Sequence, residues 1–295
     1  MFFNKLQSIL SRIIRVEQSA ESGHDGLHVI SGDHENLDII DRLLENMNPD
    51  EVEKLKSLLL REKDNLDDEY VRYQIAETLT MAIYPKYKFS EFGKLFLEDR
   101  EFLDYYEKFM DPDNWHSLDR KYTLKQLLQL VYSLEGDLVE SGAYKGASAW
   151  LMCKAFDNSD KTIHLFDSFA GLSQPGDKDG DYWEEGALQS SEEILIAGLR
   201  QFRNYKVYKG WIPEVFDEYS GNEICFLHID VDLHEPTFHT LDYFYSRLVT
   251  GGVVLMDDYG FKSCPGAKIA ADEFFNNKPE KIIFLSTGQG LVIKK

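Results

Sequence analysis

Apolar residues change their spacing part-way along the chain, and this change predicts two kinds of structure. Before residue 115 they recur mostly every three or four positions, which is typical of amphipathic helices. After residue 116 short apolar runs alternate with helical stretches, which is typical of α/β proteins. We therefore predict a helical N-terminal arm over residues 1–115 and an α/β domain over residues 116–295.

Seven short apolar runs in the second part are predicted to be strands. They are Leu138–Glu140, Thr162–Phe166, Tyr205–Tyr208, Ile224–Ile229, Val253–Met256, Ile282–Ser286 and Gly290–Ile293. Helical segments fit between the first six, so these strands should form a parallel, doubly wound sheet. Only Thr287–Gln289 separates the last two, which should pair as a hairpin. A seventh strand inserted antiparallel into a mostly parallel sheet is the plan of the class I methyltransferases, a Rossmann-like fold.

The first segment, Met1–Glu17, has apolar residues on one helical face and three basic residues, Lys5, Arg12 and Arg15. Such a helix packs on its own domain, forms a contact in a homo-oligomer or lies on a membrane surface, and the sequence leaves these alternatives open. The basic residues interrupt the apolar run, so a secretory signal peptide is not predicted. We expect a homo-oligomer.

The formal net charge of -20 on 295 residues narrows the range of partners. A general nucleic-acid-binding protein needs a basic surface, so we expect no nucleic-acid partner. No apolar run approaches the roughly 18 residues of a membrane helix, so no integral membrane segment is predicted. The three cysteines, Cys153, Cys225 and Cys264, lack metal-ligand spacing and suit a reducing compartment. These observations fit a cytoplasmic protein with a small-molecule substrate.

Candidate ligand-binding residues follow the first three strands, at the edge where open α/β sheets bind ligands. The first strand ends at Glu140 and leads through a glycine turn into a helix. The second strand leads to Asp167, 25 residues after Gly142, where an acid commonly hydrogen-bonds ribose hydroxyls. A helix N-cap is the alternative role for Asp167. The predicted cofactor-binding residues are Glu140, Gly142, Ala143, Gly146, Asp167, Ser168, Gly210 and Trp211.

The acidic residues at this edge discriminate between cofactors. A dinucleotide would bring its pyrophosphate to the glycine turn, where Glu140 would repel it. S-adenosyl-L-methionine carries a sulfonium and an ammonium group, and both suit a pocket lined by carboxylates. After the third strand, Gly210 and Trp211 either frame the flat adenine or pack beside a turn. We therefore predict S-adenosyl-L-methionine rather than NAD.

Aspartates follow the fourth and fifth strands, and their positions predict a metal site. Asp230 and Asp232 lie on the same side of any extended segment, and Asp257 and Asp258 end the fifth strand. If the two strands are neighbours, Asp230, Asp257 and Asp258 converge, and such oxygen ligands suit Mg²⁺, Mn²⁺ or Ca²⁺. The alternative is that each pair separately caps a helix.

A metal at this position would lower the pKa of a substrate hydroxyl and aim its oxygen at the methyl group. The predicted catalytic residues are Asp230, Asp232 and His234. Asp232 and His234 are the candidate general bases, and the pKa of histidine near working pH suits this task. The alternative for His234 is a surface residue that precedes the helix at Pro236.

The segment from Ser173 to Gly186 is long for a loop of an α/β domain. It lies on the ligand side of the predicted sheet, so we predict a lid in which Tyr182 and Trp183 cover a substrate such as a sugar ring. A solvated acidic loop is the alternative.

Five motifs occur in a fixed order along the second part. They are Glu140–Gly146 (ESGAYKG), Phe166–Leu172 (FDSFAGL), Lys209–Trp211 (KGW), Ile229–Leu233 (IDVDL) and the segment Gly251–Tyr259. In this combination the chain resembles the macrocin O-methyltransferase family of sugar-modifying enzymes, over roughly residues 120 to 295. The resemblance implies a class I fold, S-adenosyl-L-methionine and a divalent metal, usually Mg²⁺.

Carried over by position, the resemblance implies that Glu140, Gly142 and Asp167 hold the cofactor. It also implies that Asp230, Asp257 and Asp258, which occupy the matching motif positions, hold the metal. Family members usually have Tyr at the position of His234 and Ser at the position of Pro236.

We therefore expect an S-adenosyl-L-methionine- and Mg-dependent O-methyltransferase that acts on a hydroxyl of a sugar or a sugar-bearing metabolite. One alternative is a metal-dependent nucleotide-sugar glycosyltransferase, because Asp230-Val-Asp232 has the D-x-D form of those enzymes. Glu140 and the glycine turn, which a glycosyltransferase does not need, argue against it. A second alternative is a non-catalytic oligomeric scaffold on the methyltransferase fold. The sequence does not specify the acceptor.

Overall fold

The computed structural model of the protein describes residues 49–65, 68–83, 93–110, 117–221 and 223–295. The chain divides into two units, Met1–Arg100 and Glu101–Lys295. The predicted boundary after residue 115 stays a prediction. Three segments of the predicted arm lie outside the described residues: Met1–Glu17, Leu37–Leu44, which has the apolar spacing of a helix, and Ala20–Asn36, whose polar and glycine residues predict a loop. None of the helices in the described ranges has the length and apolar content needed to cross a bilayer.

Two helices of the first unit pack through the apolar positions that predicted them. Helix α1 spans Pro49–Arg61 and α2 spans Glu69–Ile83, followed by a 3-10 turn at Leu95–Glu98. The buried side chains at their contact recur at helical spacing, and they are Leu55, Leu58, Val71 and Ile75. Asp68 caps α2, because its Oδ1 accepts hydrogen bonds from the backbone N–H of Tyr70 and Val71.

A seven-stranded sheet forms the centre of the second unit, and it has the predicted plan. The strands are β1 (Asp137–Ser141), β2 (Ile163–Asp167), β3 (Tyr205–Lys209), β4 (Ile224–Ile229), β5 (Leu248–Met256), β6 (Ile283–Phe284) and β7 (Gly290–Ile293). Their order is β3-β2-β1-β4-β5-β7-β6. Strand β7 is antiparallel to both β5 and β6, whereas the other pairs are parallel. The predicted class I, Rossmann-like fold with an antiparallel last strand is confirmed.

The helices of this unit alternate with the strands. They are α3 (Arg100–Phe109), α4 (Leu118–Leu127), α5 (Ala147–Ala155), α6 (Glu192–Leu199), α7 (His234–Phe244) and α8 (Pro265–Phe275). Helix α7 packs against α8, and α5 packs against both α4 and α6. Apolar residues at helical spacing predict one helix from Leu118 to Ser133. The observed helix α4 ends earlier, at Leu127, and a 3-10 turn at Leu128–Val131 follows it. Val131 is nevertheless buried, as the apolar spacing predicts.

The central strand β4 is buried along its whole length, as its uninterrupted apolar sequence predicts for a parallel strand. A cluster of aromatic rings fills the space around the adjoining strands and α7. Phe166 and Tyr208 stack with ring centroids 4.5 Å apart, and Phe216 and Phe244 meet edge to face at 4.9 Å. This core fixes the positions of β1, β2 and β4, whose carboxyl ends carry the candidate site.

The hydrogen-bonded ladder extends one residue beyond the strands at that edge. Asp230 N–H donates to the Ser141 carbonyl at 2.9 Å, and Asp257 N–H donates to the Ile229 carbonyl at 2.8 Å. The residues that follow β1, β4 and β5 are therefore held in register by the backbone itself. Gly142 is the residue after β1, with a φ of +87°, and a Cβ there would lie 1.8 Å from the Asp230 carbonyl oxygen.

We expect Gly142→Ala to destabilise the fold by roughly 2–4 kcal/mol, because the added methyl group would push β1 away from the residue after β4. The free energy of unfolding in urea measures this effect. Gly186→Ala is the matched control: φ is +79° there, but nothing lies within 4 Å of the added Cβ. It should cost about 1 kcal/mol, the price of the left-handed conformation alone. Equal losses in the two variants would contradict the close approach at Gly142.

Candidate active site

A cavity opens where β1, β2 and β4 end, and most of the predicted site residues line it. These are Glu140, Gly142, Ala143, Asp167, Ser168, Gly210, Trp211, Asp230, Asp232 and Asp258. Gly146, His234 and Asp257 are not among its lining residues. Gly146 instead precedes α5 with a φ of +88°, and its Cα faces the side chains of Leu195 and Leu199. The structure thus brings together acids from the carboxyl ends of four strands: Glu140 and Asp167 lie at the ends of β1 and β2, and the aspartates follow β4 and β5.

On the cofactor side of this cavity, Glu140 is a buried carboxylate with one free oxygen. Its Oε1 lies 3.0 Å from His228 Nδ1. Its Oε2 is buried and accepts no hydrogen bond from any residue that the structure describes. An unsatisfied buried acceptor is costly, so this oxygen suits a donor that a ligand brings. Burial raises the pKa of Glu140, although the His228 contact opposes this rise.

Asp167 holds the turn after β1 and faces the same cavity. Its Oδ2 accepts a hydrogen bond from Tyr144 N–H, and its Oδ1 accepts one from Phe169 N–H, both at 2.7 Å. Each carboxylate oxygen has a second lone pair, so Asp167 retains capacity for a ribose hydroxyl. The neighbouring Ser168 donates its hydroxyl to the Gly171 carbonyl at 2.9 Å. Both acids at the β1 and β2 ends therefore keep acceptor capacity at the cavity.

The aspartates after β4 and β5 form two groups of potential metal ligands. One group consists of His228, Asp230 and Asp257, and the other of Asp232, Asp258 and Cys264. Within each group the ligand atoms lie within 4.8 Å of one another. Asp232 has a φ of +59°, which is rare for a residue with a side chain, and its N–H donates to Asp258 Oδ2 at 3.0 Å. Backbone strain of this kind is concentrated at functional sites.

Two consecutive basic residues of α4 lie among these acids, and our sequence analysis missed both. Arg120 Nη1 lies 2.8 Å from Asp257 Oδ2, and Lys121 Nζ lies 3.8 Å from Asp230 Oδ2. Lys121 also donates to Ser148 Oγ at 2.7 Å. The signal was available: Arg120 and Lys121 are four and three residues before Leu124, so they share the buried face of the helix.

Comparison with known proteins gives a consistent result. Residues 116–282 match the family described as macrocin-O-methyltransferase (TylF). The chain is 30% identical over 182 residues to demethyldecarbamoylnovobiocin O-methyltransferase of Streptomyces niveus, over 55% of this chain and 69% of that protein. The chain belongs to this family. It is an S-adenosyl-L-methionine-dependent O-methyltransferase. Membership in this family favours the predicted enzyme class over the glycosyltransferase alternative.

Two further proteins are similar to this methyltransferase. An 8-demethyl-8-(2,3-dimethoxy-alpha-L-rhamnosyl)-tetracenomycin-C 4'-O-methyltransferase of Streptomyces olivaceus is 28% identical over 166 residues, covering 49% of this chain and 64% of that protein. The matched region therefore spans less than two thirds of that relative. The solved O-methyltransferase NovP superposes with a TM-score of 0.54 at 25% identity, over 62% of this chain and 83% of that chain.

In this methyltransferase the acids at the site outnumber the basic groups. Among the described residues, the site has six carboxyl groups and three basic side chains. The carboxyl groups are those of Glu140, Asp167, Asp230, Asp232, Asp257 and Asp258, and the basic side chains are those of Arg120, Lys121 and His228. Burial, followed by repulsion from Asp230, raises the pKa of Asp232 to about 7. Burial and the neighbouring aspartates also raise the pKa of Asp258 well above its usual range. The site therefore has an excess of carboxylates that a divalent cation would relieve.

The pKa shifts of Asp257 and His228 favour the charged form of each group, because each faces opposite charge. Burial would raise the pKa of Asp257, but Arg120 and Lys121 outweigh burial and hold this pKa well below its usual range. Burial would lower the pKa of His228, but the carboxylates of Asp257 and Glu140 outweigh burial and raise it to about 9. His228 is therefore a protonated link between the cofactor side and the aspartates.

Of the two candidate bases, Asp232 lines the cavity and His234 does not. His234 Nε2 lies 2.8 Å from Glu273 Oε2 and 3.0 Å from Lys178 Nζ, outside the cavity wall. Asp232 Oδ1 accepts a hydrogen bond from the Cys264 thiol at 3.3 Å. The geometry therefore favours Asp232 for contact with a substrate.

His228→Asn should make the protein less stable near neutral pH by about 3 kcal/mol or more, because two buried carboxylates lose their shared cation. The pKa of His228, about 9, lies above its ordinary 6.5, so its stabilisation is complete below pH 6.5 and is lost as pH rises through 9. Urea unfolding between pH 6 and 9 should show a steeper loss in the wild type than in the variant. His239→Asn, at a half-exposed position, is the control. Parallel pH profiles for wild type and His228→Asn would contradict this role.

Proposed function

We propose that this protein transfers a methyl group from S-adenosyl-L-methionine to a hydroxyl of a sugar or a sugar-bearing metabolite, with Mg²⁺ or Mn²⁺ bound among its aspartates. The observation that carries the proposal is the cavity itself, in which Glu140 and Asp167 lie beside Asp230, Asp232 and Asp258. The rhamnosyl substrate in the name of the tetracenomycin relative supports a sugar hydroxyl as acceptor.

The residues at the β1 and β2 ends fit the cofactor. Glu140 Oε2 would accept a hydrogen bond from the ammonium group, since it is a buried acceptor without a donor. Asp167 would accept from the ribose hydroxyls, and Gly210 with Trp211 would flank the adenine. The cofactor supplies an electrophilic methyl group on a sulfonium. The acidic wall favours this cation over a dinucleotide, whose pyrophosphate it would repel.

The residues after β4 and β5 fit a hard divalent cation. Asp230, Asp257 and Asp258 would hold it, because they supply oxygen ligands at the ends of the adjacent strands β4 and β5. Their ligand atoms belong to two groups, since Asp258 lies with Asp232 and Cys264 and not with Asp230 and Asp257. A divalent cation at this place would lower the pKa of the substrate hydroxyl.

Asp232 is the general base in this proposal. Its side chain lines the cavity, and burial with repulsion from Asp230 raises its pKa, so it binds a proton more readily than an ordinary aspartate. Asp232 would take the proton of the substrate hydroxyl when the oxygen of that hydroxyl accepts the methyl group that the cofactor would supply. Placement of the two reactants in line supplies much of the rate.

Glu140→Gln should weaken the binding of S-adenosylhomocysteine about tenfold or more, because a neutral amide replaces a buried carboxylate that pairs with the ammonium group. Isothermal titration calorimetry measures the dissociation constant. Glu185→Gln, at an exposed position of the lid, is the matched control and should bind as the wild type does. If the wild type fails to bind S-adenosylhomocysteine at high micromolar concentration, the proposed cofactor site is wrong.

Methyl transfer should be detected with at least one member of a panel of nucleotide sugars, glycans and glycosylated metabolites, as product carrying one added methyl group by mass spectrometry. EDTA should abolish this methyl transfer and Mg²⁺ should restore it.

Asp258→Asn should weaken Mn²⁺ binding about tenfold or more, measured by calorimetry, because one charged ligand is lost. Asp177→Asn, an exposed aspartate of the lid, is the control. Full activity in EDTA would remove the metal from the proposal and leave the methyl transfer intact.

A further inference from the structure

The predicted lid, residues 173–186, closes on itself at its base. Leu172 N–H donates to the Ala187 carbonyl at 2.8 Å, and Gly186 N–H donates to the Leu172 carbonyl at 2.9 Å. Such a loop is a compact unit whose ends lie close together, so it moves as one body about its base. Tyr182 and Trp183 of the lid line the cavity.

Asp179, near the middle of the lid, clamps it to the helices after β4 and β5. Its side chain is 3% exposed. Its Oδ1 accepts a hydrogen bond from His234 N–H, the first residue of α7, at 2.7 Å, and its Oδ2 accepts one from Gly176 N–H at 2.8 Å. A Cβ on Gly266, in the first turn of α8, would lie 1.8 Å from Asp179 Oδ1. A carboxylate at a helix N-terminus is favourable, so this contact holds the lid down.

A second contact of the lid with these helices is weaker. Lys178 Nζ lies 2.9 Å from Glu273 Oε1 and 3.0 Å from His234 Nε2, but about half of the Lys178 and Glu273 side chains is exposed to solvent. Exposed ion pairs contribute little to stability. Asp179 is therefore the residue whose loss would release the lid.

A chain of hydrogen bonds connects the lid to the candidate base. Trp183 Nε1–H donates to Cys264 Sγ at 3.4 Å, and the Cys264 thiol donates to Asp232 Oδ1 at 3.3 Å. Cys264 immediately precedes α8 and is 3% exposed. Burial, together with Asp258 and Asp232, raises the pKa of the thiol, so it stays a donor to the carboxylate. Cys264 thus receives one hydrogen bond from the lid and gives one to the site.

We propose that Cys264 is a positioning residue, which orients the Asp232 carboxylate in the cavity and couples that orientation to the lid through Trp183, while Asp179 clamps the lid closed. When the lid lifts, Trp183 leaves the sulfur and the thiol becomes accessible and free to rotate. Closure of the lid then does two things together: it covers the cavity, and it fixes the group that takes the proton.

The clamp is tested by the rate at which a small thiol-directed reagent labels Cys264 in the intact protein, with the Cys264→Ser variant identifying its signal. Asp179→Ala should raise this rate about tenfold or more, and Asp179→Asn should raise it less, because an amide is a weaker acceptor at a helix N-terminus. Asp181→Ala removes the same charge from an exposed position of the same lid and should leave the rate unchanged.

Cys153 and Cys225, both fully buried, report unfolding of the whole domain in the same experiment. Their labelling should stay as slow in Asp179→Ala as in the wild type. An unchanged rate at Cys264, or a parallel rise at all three cysteines, would overturn the clamp.

The coupling to Asp232 is tested by two readouts. The S–H stretching band of Cys264, obtained as an infrared difference against Cys264→Ser, should shift in both Asp232→Ala and Trp183→Phe. With the panel acceptor that is methylated best, Cys264→Ala should lower kcat about tenfold with little change in KM, and Cys264→Ser should recover most of it because a hydroxyl still donates. Equal losses in the Ala and Ser variants, or an unmoved infrared band, would overturn the positioning role.

The kinetic readout depends on the proposed methyl transfer, whereas labelling and infrared measurements do not. If no acceptor is methylated but the labelling rates and the band respond as expected, the proposed function fails and the lid coupling stands. If methylation is found and the infrared band of Cys264 does not move, the proposed function stands and the coupling of the lid to Asp232 fails.

Discussion

The structure depends on how the carboxyl edge of a parallel sheet accommodates several buried acids. Burial makes each charged carboxylate costly unless a partner compensates it. Arg120 and His228 supply charge to Asp257, and Lys121 lies beside Asp230. Only Asp257 among these acids has a lowered pKa. Burial raises the pKa of Glu140, Asp230, Asp232 and Asp258 in spite of their basic neighbours. The excess of carboxyl groups over basic side chains favours the binding of ligands that carry positive charge.

The same constraint explains the backbone of the site. The acids must lie at the ends of adjacent strands, so the chain turns sharply where each strand stops. Gly142 permits contact with the backbone after β4, and Asp232 adopts a φ of +59° that few residues with side chains accept. These conformations are maintained by the ladder between β1, β4 and β5, which continues to Asp230 and Asp257. The rigid sheet therefore holds the acids together against their mutual repulsion.

The lid is organised by a different interaction, the affinity of a carboxylate for the N-terminus of a helix. Asp179 satisfies a donor of α7 and lies against the first turn of α8. Helix α7 is the helix that follows β4 and α8 is the helix that follows β5, and the aspartates lie in the connections between them. Helices α7 and α8 therefore contact the lid and also adjoin the edge of the sheet where the acids lie. Trp183 and Cys264 make this connection specific, since they join the lid to one carboxylate oxygen.

The sequence by itself determined the sheet and the placement of its acids. Apolar periodicity located all seven strands, and the parallel order places the residues that follow them at one edge, so Glu140, Asp167, Asp230 and Asp258 could be identified. Tertiary structure decided which charges meet. Arg120 and Lys121 precede β1 by more than a dozen residues, and Trp183 is 81 positions from Cys264. Their contacts arise from helix packing and loop closure, which no local pattern encodes. Packing also turned His234 toward Glu273 and Lys178 and left Asp232 at the cavity.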